Sequence, residues 1–196
     1  ERLLNAGGRI IGKTTMNEFA MGGDEETFRF TLPRNPHNTA HRPGGSSAGS
    51  AIAVANEDAN VALGTDTAAS VRCPAAYCGI VGLKVSKGAV SHHGVFQFAK
   101  SLDSVGILAR NVADAARTFD AIAGPDPRDE YTDALHCVED TDFYMVDDES
   151  KATYSDEFVL SETDTALADT TIGIPQEILT AKSTVDRHFT AALDTL

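Results

Sequence analysis

Cysteine is scarce in this sequence, which has three in 196 residues, at positions 73, 78 and 137. A small odd number argues against a disulfide framework and fits a reducing, cytoplasmic compartment. Cys73 and Cys78 have no second pair and no paired histidines at zinc-ligand spacing, so they read as packing residues. Long apolar runs are missing too. None reaches the roughly 18–20 residues of a membrane-spanning helix, and the opening residues do not resemble a signal peptide. A membrane role is therefore disfavoured. Positive charge is the third shortage: 16 Lys and Arg stand against 29 Asp and Glu, a net of −13. Such a chain is a poor direct binder of nucleic-acid grooves. Its hydrophobic content of 42% suits one globular domain or a large part of a bigger one.

What is abundant is small residues in one place, the stretch Pro43 to Lys84. It opens with Gly44-Gly45-Ser46-Ser47-Ala48-Gly49-Ser50, a turn of little side-chain bulk, and continues into an alanine-rich helix candidate, Ala51 to Ala55. A strand candidate, Val61-Ala62-Leu63-Gly64, leads to the polar turn Thr65-Asp66-Thr67-Ala68-Ala69-Ser70. Small residues let backbone N–H groups approach a ligand or a developing negative charge. A serine just after a strand, among free N–H groups, is where acyl-transfer enzymes place a nucleophile. The plainer reading is that such serines cap helices and satisfy turns.

The order of the pieces decides between them. The run resembles the amidase signature family, with its Gly-Gly-Ser-Ser-Gly-Gly-Ser turn followed by Gly-Ser-Asp-Thr-Gly-Gly-Ser-Ile-Arg. Ser46 and Ser70 lie 24 residues apart, the family spacing, and Arg72-x-Pro74 and Cys78-Gly79-x-x-Gly82-Leu83-Lys84 match as well. The resemblance implies an α/β fold, a mixed twisted sheet flanked by helices. Residues 1–196 would be part of a single domain, with the signature core over about 43–110 and an acidic surface loop over about 126–170. It also implies a Ser–Ser–Lys triad. Ser70 would be the nucleophile that attacks an amide carbonyl, and Ser46, in a cis peptide in the family, would relay the proton. The backbone N–H groups of Thr67, Ala68 and Ala69 would form the oxyanion hole, about 3–4 kcal/mol per donor. Phe98 aligns with an aromatic that lines the substrate pocket in glutamine-using members; the plain alternative is a core phenylalanine.

The triad lysine has to be neutral and therefore buried, because bringing its pKa from about 10.4 to near 7 costs roughly 4–5 kcal/mol. None of Lys13, Lys84, Lys87, Lys100, Lys151 and Lys182 stands in the family's Val-Lys-Asp context. The sequence thus reads as an internal piece, incomplete at both ends and inactive by itself. Ala68-Ala69 departs from the family's Gly-Gly, and a positive φ at either position costs about 1–2 kcal/mol. The branch most resembled is the glutamine-dependent amidotransferases, which would make glutamine the amide, bring partner subunits, and leave tRNA contact to those partners. A stand-alone amidase and a catalytically degenerate scaffold protein stay open. No metal or organic cofactor is implied.

Around this core, Glu1 to Ala6 reads as a helix stopped by Gly7-Gly8, and Arg9-Ile10-Ile11-Gly12 as a short strand. Thr15-Met16-Asn17-Glu18 reads as a capping box opening a short helix. Gly7 to Thr14 also satisfies the nucleotide-binding pattern Gly-x4-Gly-Lys-Thr. That motif needs a strand before it and a helix after it, the reverse of what the flanks suggest. His37 and His41 read as surface-loop residues, and His92 and His93 as surface or pocket-rim residues. Asn111 can cap an amphipathic helix to Ala123, which Gly124-Pro125 stop. Thr171 to Pro175 reads as a strand and Val185 to Leu196 as a helix. Between Asp129 and Asp169 Lys151 is the only basic residue among lysines and arginines. A solvated loop explains this, and so would adaptation to high salt. In the second case unfolding midpoints measured in rising salt climb toward molar concentrations; a fall there removes the idea.

Overall fold

The structure, a computed structural model, describes residues 1–22, 28–132, 171, 173 and 184–194. It divides into two compact units, Glu1–Val159 and Leu160–Leu196. The first contains α1 (Arg2–Asn5), a 3-10 turn (Glu18–Ala20), α2 (Ala48–Ala55), β1 (Val61–Asp66), α3 (Arg72–Tyr77), β2 (Val81–Lys84), β3 (Ser104–Ala109) and α4 (Val112–Ile122). In the second, α5 (Thr184–Leu193) is described.

The sheet has the order β1-β3-β2. β3 is its centre, and all six of its residues are buried. A strand covered on both faces reads as a continuous run of small and apolar residues instead of an alternation. Val105, Ile107 and Ala109 pack against Ala115, Phe119 and Ile122 of α4. Leu108 faces the opposite way and packs with Ala51, Val54, Val71, Ala75 and Cys78, from α2 and around α3. Helices on both faces of a sheet make the fold α/β. Full burial of Ile107 and of Leu108 stabilises by about 1.5–3 kcal/mol each. Among the described strands the two ladders are antiparallel. Val61 lies opposite Ala109 and Asp66 opposite Ser104, while Val81 also lies opposite Ala109, so β1 and β2 both run against β3. β1 and β2 share one direction, with β3 between them.

Several local expectations hold for identifiable reasons. In α1 the N–H of Gly7 bonds to Leu4 O at 3.0 Å and that of Gly8 to Leu3 O at 2.8 Å, with Gly7 at φ +84°. This is the paired hydrogen bonding of a glycine-terminated helix. Arg2 on α1 donates to the carbonyls of Ile122 (2.8 Å), Gly124 (2.9 Å) and Pro125 (2.5 Å), satisfying the end of α4. Asn111 caps α4 by accepting from the Asp114 N–H at 2.8 Å, worth about 1 kcal/mol. Cys78 is fully buried, and burial together with nearby Cys73 pushes its thiol up to about 11. It packs beneath α2 and α3.

Other expectations need correction. Arg9 to Gly12 forms no strand; it pairs with no neighbour among the described residues, and Ile10 and Ile11 are each 64% exposed. The capping box does not form either. Glu18–Ala20 is one 3-10 turn with no side-chain cap, and Phe19 has left-handed φ of 56°. His37 and His41 are both exposed, as expected, although the His37 ring Nε2 shares a hydrogen bond with the Cys78 carbonyl at 2.8 Å. His92 is buried, not on a rim: its N–H donates to Asp129 Oδ2 at 2.6 Å and its Nδ1 lies 3.3 Å from the same oxygen. His93 next to it is exposed. The acidic segment accordingly begins inside the molecule. Asp126 and Asp129 are buried, and the Arg128 guanidinium and the Ser91 hydroxyl hold the Asp126 carboxyl well below the usual range. The rest of that segment, 133–170, lies outside the described residues, as does most of the strand expected at Thr171 to Pro175. The final helix is present as α5, from Thr184 to Leu193.

Candidate active site

The site is assembled from two turns. The first, Pro43 to Ser47, enters α2, and the second, Thr67 to Val71, joins β1 to α3. Gly44 has φ +78°, and a Cβ there would sit 2.9 Å from Pro74 Cα, so no side chain fits. Gly64 on β1 serves the same end, since its Cβ would lie 2.5 Å from Ser47 Oγ. Ser47 Oγ uses that closeness to exchange hydrogen bonds with Thr65 O and N at 3.3 Å each. In addition, the Ser47 N–H donates to Ser70 O at 3.1 Å. The two turns are thus tied directly, and Ser46 is brought beside the residue 24 positions later in the chain.

Ser46 follows a cis Gly45–Ser46 peptide bond and is 0% exposed. Its carbonyl accepts from Asn17 N–H at 3.2 Å, while its hydroxyl has no hydrogen-bond partner among the described residues. A buried hydroxyl without a partner costs about 1–3 kcal/mol. Ser70 is partly exposed at the end of the second turn. Lys84 donates to Val85 O, Lys87 sits over the Tyr131 ring and Lys100 pairs with Glu130. None of these three lysines is bonded to either serine.

The second turn is shaped by Asp66, which sequence reasoning gave no role. Its fully buried carboxylate accepts from the N–H groups of Ala69 (2.8 Å), Val71 (3.1 Å) and Arg72 (3.2 Å). Arg72 Nε and Nη2 close on it from outside at 3.1 and 3.0 Å. The Val71 and Arg72 donors are N–H groups at the start of α3, so Asp66 also caps that helix. Burial by itself would raise the Asp66 pKa, but the Arg72 side chain and the three backbone donors outweigh it, taking it from 3.8 down to about 2. An aspartate ending a strand, followed by a small-residue turn, is the signal that could have revealed it.

Of the three expected oxyanion-hole donors, Ala69 N–H is already committed to Asp66. The N–H groups of Thr67 and Ala68 make no hydrogen bond among the described residues. Ala69 has φ +89°, so of the two alanines this is the one that carries the left-handed strain. Phe98 is 49% exposed. Its neighbour Phe96 stacks at a tilt on Phe19, ring centroids 5.5 Å apart. A groove of about 520 Å³ lined by Asn35, His37, His41, Arg42 and Tyr77 includes neither serine. Among the described residues no three His, Cys, Asp or Glu side chains group as a metal site. Gly7 to Thr14 lacks the helix that would cradle a phosphate.

Two consequences can be measured. Asp66 is depressed when folded, so its stabilisation is complete above about pH 4 and is lost as pH falls through about 2. With Arg72 half exposed the loss is about 1–2 kcal/mol, and Asp66→Asn flattens this part of a urea-denaturation pH profile. Ala69→Gly relieves the strain against a larger unfolded-state entropy, for a net gain of about 0.5–1 kcal/mol in the same assay.

The amidase family model, described as Amidase, matches residues 1–196. The glutamyl-tRNA(Gln) amidotransferase A subunit of Synechococcus sp. (strain CC9605) is 57% identical over 129 residues, 66% of this chain and 26% of that protein. The chain therefore spans about a quarter of the length of this relative. The crystal structure of the Thermotoga maritima protein of the same name is 41% identical, with a TM-score of 0.63 over 67% of this chain and 29% of that one. The native peptide amidase from Stenotrophomonas maltophilia is 40% identical, with a TM-score of 0.59 over 67% and 28%. Two serine turns locked together by one backbone hydrogen bond, and a family match along the whole length, lead to one conclusion: this chain belongs to the amidase family.

Proposed function

We propose that the protein cleaves amides through Ser70, as the glutaminase component of a tRNA-dependent amidotransferase. The observation that carries this is the tie between Ser47 N–H and Ser70 O, beside the unengaged Thr67 and Ala68 N–H groups. Ser70 Oγ attacks the amide carbon, and its proton passes through the Ser46 hydroxyl to a neutral lysine of the family triad. The carbonyl oxygen becomes an oxyanion facing Thr67 and Ala68 N–H. Collapse breaks the C–N bond, ammonia leaves with the returned proton, and water then hydrolyses the acyl ester. The buried, unpartnered Ser46 hydroxyl fits a relay that waits for such a base. Phe98, with its exposed ring, lines the side from which the acyl donor enters. Glutamine as donor and partner subunits as recipients of the ammonia belong to this reading, which the likeness to proteins that carry the amidotransferase name supports.

A stand-alone amidase is the second reading, favoured by the nearly equal likeness to the peptide amidase structure. Co-purification with partner subunits supports the first reading, and activity of a lone chain on simple amides supports the second.

The test common to both uses the full-length gene product and a serine-directed fluorophosphonate, with the adduct located by mass spectrometry. An adduct on Ser70 is expected, abolished by Ser70→Ala and slowed about 100-fold or more by Ser46→Ala, the scale of a lost proton relay. A folded protein that takes no adduct has a non-catalytic role instead.

A further inference from the structure

Asp103 lies just before β3 and is 4% exposed, yet no lysine or arginine side chain reaches its carboxylate among the described residues. Its partners come from two separate segments. Thr67 Oγ1 donates to Oδ1 at 2.5 Å, Phe98 N–H donates to Oδ2 at 2.7 Å, and Ala99 N–H is shared between Oδ1 and Oδ2 at 3.1 and 3.0 Å. The location is set by register. Asp66 opposite Ser104 is the last rung of the β1–β3 ladder, and Thr67 and Asp103 are the next residues outward on each strand. Where the backbones part, a side-chain hydrogen bond supplies one more rung. It joins the turn that carries Ser70 to the loop that carries Phe98.

A buried carboxylate can be satisfied within its own loop, and the Phe98 and Ala99 N–H groups together with the Asp103 N–H to Ala99 O bond at 2.9 Å already form a closed turn. The Thr67 hydroxyl is not needed for that closure. What it adds is a fixed distance between the Thr67 backbone, whose N–H is unengaged, and the half-exposed Phe98 ring. We infer that Asp103 is a positioning residue which, through Thr67 Oγ1, sets the Phe98 wall of the amide site relative to the oxyanion donors and so governs which acyl donor is accepted. This rests on the reading of Ser70 as nucleophile and of Phe98 as substrate-facing.

The experiment uses the full-length protein with Thr67→Val, Phe98→Ala and the double variant. Thr67→Val keeps the side-chain shape and the backbone N–H and removes only the cross-link. Ammonia release from glutamine gives kcat and KM, and fluorophosphonate labelling of Ser70 gives a readout that needs no donor side chain. One charge-assisted hydrogen bond corresponds to roughly a tenfold change or more. Thr67→Val is expected to lower kcat/KM for glutamine about tenfold, mainly through KM, and to slow the labelling of Ser70 by a clearly smaller factor. Thr67→Ser, which keeps the hydroxyl, restores the parent value. In the Phe98→Ala background Thr67→Val costs less than about twofold, because the wall being positioned is gone. Equal losses in both backgrounds, or equal losses in labelling and turnover, overturn the positioning role. Should Thr67→Val not fold, Thr67→Ala enters the same cycle, since it too keeps the backbone N–H and removes the hydroxyl that reaches Asp103. A wild-type protein that is not labelled at Ser70 overturns the amidase reading and this inference together, whereas labelling with additive losses overturns this inference alone.

Discussion

Taking a carboxylate out of water is costly unless donors surround it, and Asp66 is surrounded. Three backbone N–H groups and two guanidinium nitrogens of Arg72 converge on it. Because those N–H groups belong to residues 69, 71 and 72, meeting the needs of one buried charge dictates the path of the chain past Ser70. The turn bends toward the carboxylate, which leaves the N–H groups of Thr67 and Ala68 without a hydrogen bond among the described residues and starts α3 at Arg72. The left-handed φ at Ala69 is the cost of that path. Everything proposed for the site presupposes it.

The sheet supplies the second constraint. β3 is enclosed on both faces, so its ends are fixed more firmly than those of its neighbours. Asp66 and Asp103 both sit at the end of the ladder where β1 leaves β3. Two acids with different partners, one held by a guanidinium and backbone donors and one by neutral donors alone, thereby stand side by side at the same strand ends. Lys87 reaches the backbone carbonyl of Asp103 at 3.5 Å and sits over the Tyr131 ring, and Lys100 pairs with Glu130. The alanines of α2 contribute by what they omit. With only a methyl group at Ala48 and Ala51, both fully buried, the helix approaches β1 closely enough for Ser47 to bond across.

How much of this could be read from the sequence differs by element. The capped helix from Asn111, the glycine stop after α1 and the two-serine turn were legible because each depends on local chemistry: a side-chain acceptor, a positive φ, a lack of bulk. β3 was not, since a strand buried on both faces loses the alternation that marks strands. Arg9 to Gly12 shows the converse, an apolar stretch that suits a strand but has no neighbour among the described residues. His92 and Asp129 were misplaced for a different reason. Charge density along the chain suggests solvent, but a histidine 37 positions away supplies both a backbone N–H and a ring nitrogen to that aspartate, and no local window contains both residues. Asp103 escaped notice on the same ground, having one partner 36 positions away.

The Arg2 clamp on the end of α4 bears on how the molecule is made. Its guanidinium bridges 120 to 123 positions of sequence. At a synthesis rate of about 5–20 residues per second, Arg2 waits on the order of ten seconds before the carbonyls it will bind have been translated. The serine turns and the β1 strand emerge within the same window and need only each other to begin pairing. The order of synthesis therefore favours a centre that organises before its periphery, with Arg2 made long before its partners and settled only after them.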